Sequence, residues 1–539
     1  MTVAPPSDLP VGYYLDNFRT LLATVSARYD DLLTESERQF IADFDRLETA
    51  PARLLVRFYT RKGPRFRLSK LRYSEIPDID TALQVLSERG MVDLSPLVSA
   101  EELATSLTLP ELRQLDWVTD KKASKARLLA ALTERQERLS AADWGVADTL
   151  IEPLHWSQLR CLQLLYFGNE QQSLTDFVLA DLGLFRYESY SLSKASRAYQ
   201  QRIEVEQHLY LNDLRAEADV AELAGDSEGL LNVAERLLSI EWYPAAARRY
   251  QRLSNRIGYR LEQWQEWPMA LRLFNSHNQP PARERQCRIR YKQNEFEACW
   301  DLLQQIKADP GDSSEARFYS RFQPRVARKL RQPVHSDTSL PIKESRHSLP
   351  RGDLCVELLV CEQLDQACWL ENLLPLGIFG LIHWPIVFAD TPGAFHHPFQ
   401  QGPSDLYHPD FLNRRHTSRE QLKQQLTPEI ARQRLIDTWH AKEGLMNPFV
   451  HWPALELPWL LRCFDRVPWA HWCTIFDHLW RDLKRHRSGF PDLFQLTDTG
   501  YRWIEIKGPG DRLQDNQRDW LQRFASAGIP AEVWYIDYL

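Results

Sequence analysis

GFPDLFQLTDTGYRWIEIKGPGDRLQDNQ, residues 489–517, reads as a hairpin followed by the start of a helix. Leu493–Leu496 is a short apolar strand, Asp498-Thr499-Gly500 is a tight-turn signal, and a second strand begins at Tyr501. Side chains alternate faces along a pleated strand, so Ile504 and Ile506 enter a core while Trp503, Glu505 and Lys507 share the opposite face. The hairpin returns Glu505 and Lys507 alongside Asp492. Beyond the Gly508-Pro509-Gly510 break, a helix is expected over 513–525, with Leu513, Trp520, Leu521 and Phe524 on its packing face. Gly528 would end it, and 531–536 would add a further strand.

Like charges placed together out of water cost several kcal/mol unless they are paired or bound to metal, so Asp492 beside Glu505 implies a cation between them. Hard oxygen donors suit Mg2+ or Mn2+ better than Zn2+. Such an ion polarises a phosphoryl oxygen and acidifies a bound water, with Lys507 orienting that water or offsetting charge in the transition state. The chemistry is phosphodiester hydrolysis.

The chain that carries this site has 539 residues, of which 43% are hydrophobic and 26% charged, proportions that exclude a disordered or fibrous protein and require several domains. No run is long and apolar enough to span a bilayer, and MTVAPPSDLPVGYY lacks a basic region followed by an apolar stretch. An intracellular protein without membrane association is expected, cytoplasmic and nucleoid-associated in a bacterium or nuclear in a eukaryote. Its eight cysteines include no CxxC pair, which favours reduced, mostly buried thiols.

A net charge of -7 would disfavour a polyanionic partner if the charge were evenly spread. It is not: residues 53–72, RLLVRFYTRKGPRFRLSKLR, contain no acid. Arg57, Arg61, Lys62, Arg65, Arg67, Lys70 and Arg72 make this stretch a candidate nucleic-acid surface. The stretch falls in an N-terminal region, 1–95, of helical and winged-helix-like pattern, where Thr34 and Glu37 form a capping-box signature. Residues 96–140 have the spacing of a SAP-like DNA-binding segment, with Lys121, Lys122 and Lys125 available for phosphates. Residues 141–225 read as a helical connector. Over 226–330, Ala246 with Tyr250, Ala270 with Phe274 and Ala298 with Leu302 give the small-on-large pattern of stacked helical hairpins, and the segment is TPR-like. Residues 331–353 are polar and proline-punctuated, a linker. The last domain, 354–539, opens with a strand-like run, LCVELLVCEQL.

Pro491-Asp492 followed by Glu505-Ile506-Lys507 resembles the PD-(D/E)XK nuclease motif. More narrowly, PDLFQL followed by IEIKGPGDRLQDNQRDWL is similar to the VRR-NUC domain of the Fanconi anaemia-associated nuclease family. The match runs through Gly508, Pro509, Asp511, Arg512, Leu513 and Gln517, and extends to FGLIHWPIVFAD, Asp405-Leu406, Asn413-Arg414-Arg415 and TWHAKEG at 438–444. The front-half modules fit the same family. The resemblance implies a multidomain fold with a mostly α front half and a C-terminal α/β nuclease domain. It implies structure-selective, metal-dependent cleavage of branched or flapped double-stranded DNA. The family's activities are those of a 5′ flap endonuclease and a 5′ to 3′ exonuclease of the phosphodiesterase I type, acting in DNA repair that includes interstrand crosslinks.

Carried onto this sequence, the resemblance assigns metal contacts to Glu371, Asp492, Glu505 and Ile506, with Glu371 on a helix ahead of FGLIHW. Lys507 and Gln517 take catalytic roles. Lys484, Arg485 and Arg487 lie close enough along the chain to contact DNA. The N-terminal region has no cysteine and histidine cluster, which points to a bacterial member, and Asn516 stands where animal members carry a basic residue, so the family's 5′ phosphate pocket does not carry over to this sequence. Without the resemblance, the residues leave open a Holliday-junction resolvase, a restriction-type nuclease, or a non-catalytic TPR-type interaction protein with a relic nuclease domain.

Overall fold

The computed structural model describes residues 11–61, 63–118, 120–125, 127–128, 137–170, 172, 185–334 and 340–539. The chain divides into two compact units, one comprising Met1–Phe185 with Gln200–Val205, the other Arg186–Tyr199 with Glu206–Leu539. Among the described residues, no helix is long and apolar enough to cross a membrane.

In the first unit, Tyr13–Tyr29, Glu35–Asp45, Thr49–Tyr59 and Ile79–Glu88 are helices. The Thr34 side chain accepts from Glu37 N and the Glu37 carboxylate accepts from Thr34 N, so the capping box forms at both bonds. A three-stranded sheet accompanies them, with Leu150–Pro153 in the middle, antiparallel to Phe66–Arg67 and to Val92–Asp93. That middle strand comes from the segment expected to be wholly helical. LIEP is too short for its alternation to register against a helix-forming background, and the sheet exists only through pairing with strands far away in sequence. The segment with SAP-like spacing has the helices Ala100–Ser106 and Leu109–Gln114, each opened by a capping box, and a two-stranded pairing of Val98–Ser99 with Arg138–Leu139. Most of 126–136 lies outside the described residues.

The second unit begins with successively packed helices, among them Pro244–Gln263, Trp267–Asn275, Ala282–Lys292, Phe296–Ala308 and Ser313–Leu330. Ala246, Tyr250, Ala270 and Phe274 are buried between them, as the small-on-large pattern requires. The third expected pair is displaced by one residue: Cys299 and Leu303 occupy the inside, while Ala298 and Leu302 are half-buried. Ser313–Leu330 is tied to the nuclease part by Arg321 on Asp515, and its N-cap Asp312 receives Arg485 at 3.1 Å. Residues 186–199, placed by sequence in the connector, also pack on the nuclease part: the Tyr190 ring stacks 3.9 Å from Phe395 and its hydroxyl donates to His397 O.

The nuclease sheet has five strands, in the order Lys343–Leu349, Ala531–Tyr538, Tyr501–Lys507, Leu493–Leu496, Ala367–Trp369. The first two pairings are parallel and the last two antiparallel. Two of these placements correct the sequence reading. Lys343–Leu349 lies within the expected linker, yet it pairs along its whole length with Ala531–Tyr538. It is a polar edge strand exposed at alternate positions, so it lacks an apolar signature. Conversely, the strand-like run at 354–364 is mostly a helix, Val356–Gln363, because a short continuous apolar run has no periodicity that separates a buried strand from a helix.

The hairpin packs on both faces. Leu493, Ile504, Ile506 and Ile536 meet Val360 on one side, while Phe494, Tyr501 and Trp503 join Trp520 and Phe524 of the helix Asp515–Ala527 on the other. Leu513 and Leu521 complete the layer against Val533.

Candidate active site

The register of the hairpin builds the site. Leu493 pairs with Ile504, so Asp492 falls beside Glu505, and its Oδ2 accepts the Ile506 N–H at 2.7 Å. The turn closes with Thr497 N bonded to Gly500 O at 3.0 Å. After Lys507, Gly508 donates its N–H to Asp511 Oδ2 at 3.0 Å, and Gly510 takes φ +88°, a conformation that L side chains resist. The GPGD run thus turns the chain out of the strand and into the helix.

Glu505 is fully buried, and Lys507 Nζ stands 2.6 Å from its Oε1. This contact has the distance of an ion pair but not the alignment of a hydrogen bond, and both Glu505 oxygens lack a hydrogen-bond donor. Burial, reinforced by the neighbouring Asp492 and opposed by Lys507, pushes the Glu505 carboxyl up to about 8. Burial also raises Asp492 to about 6, against the lowering effects of the Ile506 N–H and Lys507. Two carboxyls driven upward by lost hydration, one with both oxygens unsatisfied, are the donor set that a divalent cation fits. The ligand atoms of Glu371, Asp492 and Glu505 do not all come within 4.8 Å of one another. Such an open set suits a hard cation that keeps several waters.

Glu371 is brought to the site, though not on a helix as expected. It sits in the turn after Ala367–Trp369 and before the helix Leu373–Ile382, with φ +38°, and donates its N–H to Asp492 O at 3.1 Å. Its charge acts on both Asp492 and Glu505. Ile506 is buried among apolar side chains, so only its main chain is available to a metal. Gln517 Oε1 accepts the N–H of Gln514 at 2.8 Å in a capping box, which commits that oxygen to the helix start. Sequence reasoning missed Glu357. It lies on Val356–Gln363, the helix misread as a strand, and acts electrostatically on Asp492. A helical reading of VELLVCEQ would have exposed it as a polar residue in the first turn.

The expected DNA-binding residues separate into two sets. Arg57, Arg65 and Arg67 are each held in ion pairs with acids of the same unit. Arg57 Nε bonds Glu75 at 2.9 Å; Arg65 reaches Glu152 at 3.0 Å and Glu102 at 3.2 Å. Arg67 makes two bonds of 2.8 Å to Glu111 and a third of 2.8 Å to Asp148. These acids lie far from the basic stretch in sequence, so nothing local reveals them. Arg61 is exposed and stacks 4.8 Å over Tyr73, while Lys70 and Arg72 are exposed. Lys62 lies outside the described residues.

Lys121 and Lys125 each donate to a backbone carbonyl, Leu115 O and Leu107 O, at 2.6 Å, and Lys122 is exposed. Near the nuclease site, Lys484 is exposed, Arg485 pairs with Asp312 and Asp482, and Arg487 lies 5.1 Å over the Tyr407 ring.

A mixed sheet whose hairpin presents PD and ExK residues to one buried point defines a metal-dependent nuclease domain, and residues 426–536 match the family described as VRR-NUC domain. Residues 12–93 match the family described as FAN1, HTH domain. The chain is 36% identical to the Fanconi-associated nuclease 1 homolog of Pseudomonas aeruginosa, with 97% of this chain and 95% of that protein covered. It belongs to the Fanconi-associated nuclease 1 family. The human Fanconi-associated nuclease 1 is 22% identical over 97% of this chain, which spans 62% of the human protein. The crystal structure of paFAN1 bound to 2nt 5′ flap DNA with gap superposes with a TM-score of 0.88 at 35% identity, covering 99% of this chain and 100% of that one. The chain is accordingly a DNA nuclease, a hydrolase whose domain type implies a divalent metal ion.

Proposed function

We propose that this protein cleaves the DNA backbone at 5′ flaps, as an endonuclease and a 5′ to 3′ exonuclease, in repair that includes interstrand crosslinks. The observation that carries the chemistry is the buried Glu505 carboxylate, unsatisfied at both oxygens and placed between Asp492 and Lys507. The flap preference is supported by the flap DNA held in the paFAN1 crystal structure.

Asp492 and Glu505 would hold the divalent ion, Mg2+ or Mn2+, with the exposed Glu371 carboxylate and the Ile506 main chain as further candidate ligands. When bound, the ion supplies a polarised phosphoryl oxygen and an acidified water. Lys507 offsets negative charge that builds on the phosphate in the transition state. In a bacterium such work would take place at the nucleoid, in the cytoplasm; in a eukaryote it would be nuclear.

The test is a panel of labelled 5′ flap, nicked, four-way and single-stranded DNAs incubated with Mg2+ and separately with Mn2+. The flap should be cut fastest, and Lys507→Ala should abolish cutting while flap binding survives. Equal rates on all four DNAs, or preferred cutting of the four-way junction, would overturn the proposal.

A further inference from the structure

Away from the metal site, a cavity of about 180 Å³ lies between His383, at the end of the helix Leu373–Ile382, and the helices His416–Gln425 and Trp469–Arg481. Its walls are apolar and largely aromatic, with Leu422, Trp469, Phe476 and Trp480 among the lining residues. The Trp469 and Phe476 rings stand 6.2 Å apart at 71°, so one flat face adjoins a ring edge. An apolar cavity of about 150 Å³ holds one benzene ring, so a single six-membered ring with its substituents fills this one.

One polar group interrupts the apolar wall. His383 is 5% exposed, and its ring meets Phe476 at 5.0 Å and Trp480 at 5.3 Å. Nδ1 lies 2.9 Å from the Phe379 carbonyl oxygen, so it carries the hydrogen and donates. Burial, helped by the charges of Arg419 and Arg434 and opposed by that bond, holds the imidazole down to about 3, which leaves Nε2 an acceptor at neutral pH. Among the described residues nothing donates to Nε2, and a buried acceptor without a donor is costly. At the mouth, Asp477 stands 3.8 Å from both Arg419 and Lys423, and Arg419 also reaches Glu420 at 3.3 Å. Two cations against two carboxylates leave the rim near neutral, which gives a free phosphate no preferential hold.

We propose that this cavity receives an unpaired pyrimidine base of a DNA strand, its ring against Trp469 and Phe476 and its N–H donating to His383 Nε2. Thymine offers its ring N–H and cytosine its amino group for that bond, and aromatic walls hold a base by stacking. The seat, which rests on the reading of the chain as a nuclease of flapped DNA, adds a second hold on the strand. Leu373–Ile382 has ten residues, a length of about 15 Å, and runs from beside Glu371 to His383. A base seated at its far end fixes how far an unpaired strand extends from the cleaved phosphate.

The experiment measures binding of the full chain, in chelator so that nothing is cut, to single strands and to 5′ flaps whose unpaired part is thymine, adenine or abasic. Thymine should bind at least about fivefold more tightly than abasic DNA, with adenine between them. Trp469→Ala, at the half-buried mouth, and His383→Phe, which keeps a ring but no acceptor, should each cut the thymine advantage to less than about twofold while binding of abasic DNA stays unchanged. Equal binding of thymine and abasic strands overturns the seat, as does a thymine advantage that survives both substitutions. Adenine that binds as tightly as thymine overturns the pyrimidine assignment. Thymidine monophosphate that displaces the strand at equal nucleotide concentration overturns it as well, because the cavity then serves loose nucleotides. The single strands keep this seat separate from the flap reading: thymine dependence without flap preference retains the seat and loses the flap function, and the reverse result loses only the seat.

Discussion

The basic stretch of the first unit and the hairpin of the second are the two most conspicuous charge patterns in the chain, and the structure uses them oppositely. Arg67 is matched bond for bond by Glu111 and Asp148, and its hydrogen bonds hold Glu111 down to about 2. Glu505 has a cation at 2.6 Å and yet both oxygens unsatisfied, with its carboxyl displaced upward. A satisfied charge has settled into structure; an unsatisfied buried charge is poised for a ligand.

The sharpest way to break this contrast is to neutralise each charge in turn. Glu505→Gln should lower flap cleavage by about a thousandfold or more, since several kcal/mol of transition-state stabilisation are lost with the ion. The same change should stabilise the metal-free protein at alkaline pH. With its folded value raised to about 8, Glu505 makes the native state retain a proton that the unfolded chain releases, so metal-free stability falls as pH climbs through that value. Thermal melts in chelator at acidic and alkaline pH should show the decline in wild type and a flatter profile in Glu505→Gln. Arg67→Ala should do the reverse, costing on the order of 2 kcal/mol of stability in denaturant melts while leaving the salt dependence of DNA binding unchanged. A steep loss of that salt dependence, with stability intact, would return Arg67 to the DNA surface.

The pH dependence of metal use sharpens the same point. Between about 6 and about 8, the displaced values of Asp492 and Glu505, a cation must expel a proton to bind. The Mn2+ concentration for half-maximal cleavage should therefore fall as pH rises, by up to about tenfold per unit, and level off above about 8. A flat response would mean that Glu505 is already ionised without metal. Replacing Arg61, Lys70 and Arg72 with glutamine, the exposed part of the basic stretch, should make the log-log salt slope shallower by ~0.9 for each phosphate that these residues neutralise. The smallest effect is expected from Glu357→Gln: removing a charge that raises Asp492 should move the acidic limb of the cleavage profile to slightly lower pH, with little change at its maximum.

What could be read from the sequence was whatever local periodicity encodes. Alternation in YRWIEIK placed Ile504 and Ile506 opposite Trp503, Glu505 and Lys507, and the DTG turn fixed the register that brings Asp492 across. What escaped depends on partners distant in the chain. The acids that neutralise Arg65 and Arg67 lie 37 to 87 residues away. Lys343–Leu349 is a strand only because Ala531–Tyr538 lies beside it, and its polar side chains carry no core signature. Glu371 was found through the neighbouring FGLIHW, but its positive φ belongs to a turn that helix patterning does not describe.

The placement of Ala531–Tyr538 bears on biosynthesis. It lies between Lys343–Leu349 and Tyr501–Lys507, so of the five strands the one translated last enters the interior of the sheet. Until it emerges from the ribosome, Lys343–Leu349 has no neighbour, and the Glu505 strand is open along one side. A nascent or prematurely terminated chain that stops short of residue 531 is expected to carry every metal ligand of the nuclease site and still cut nothing.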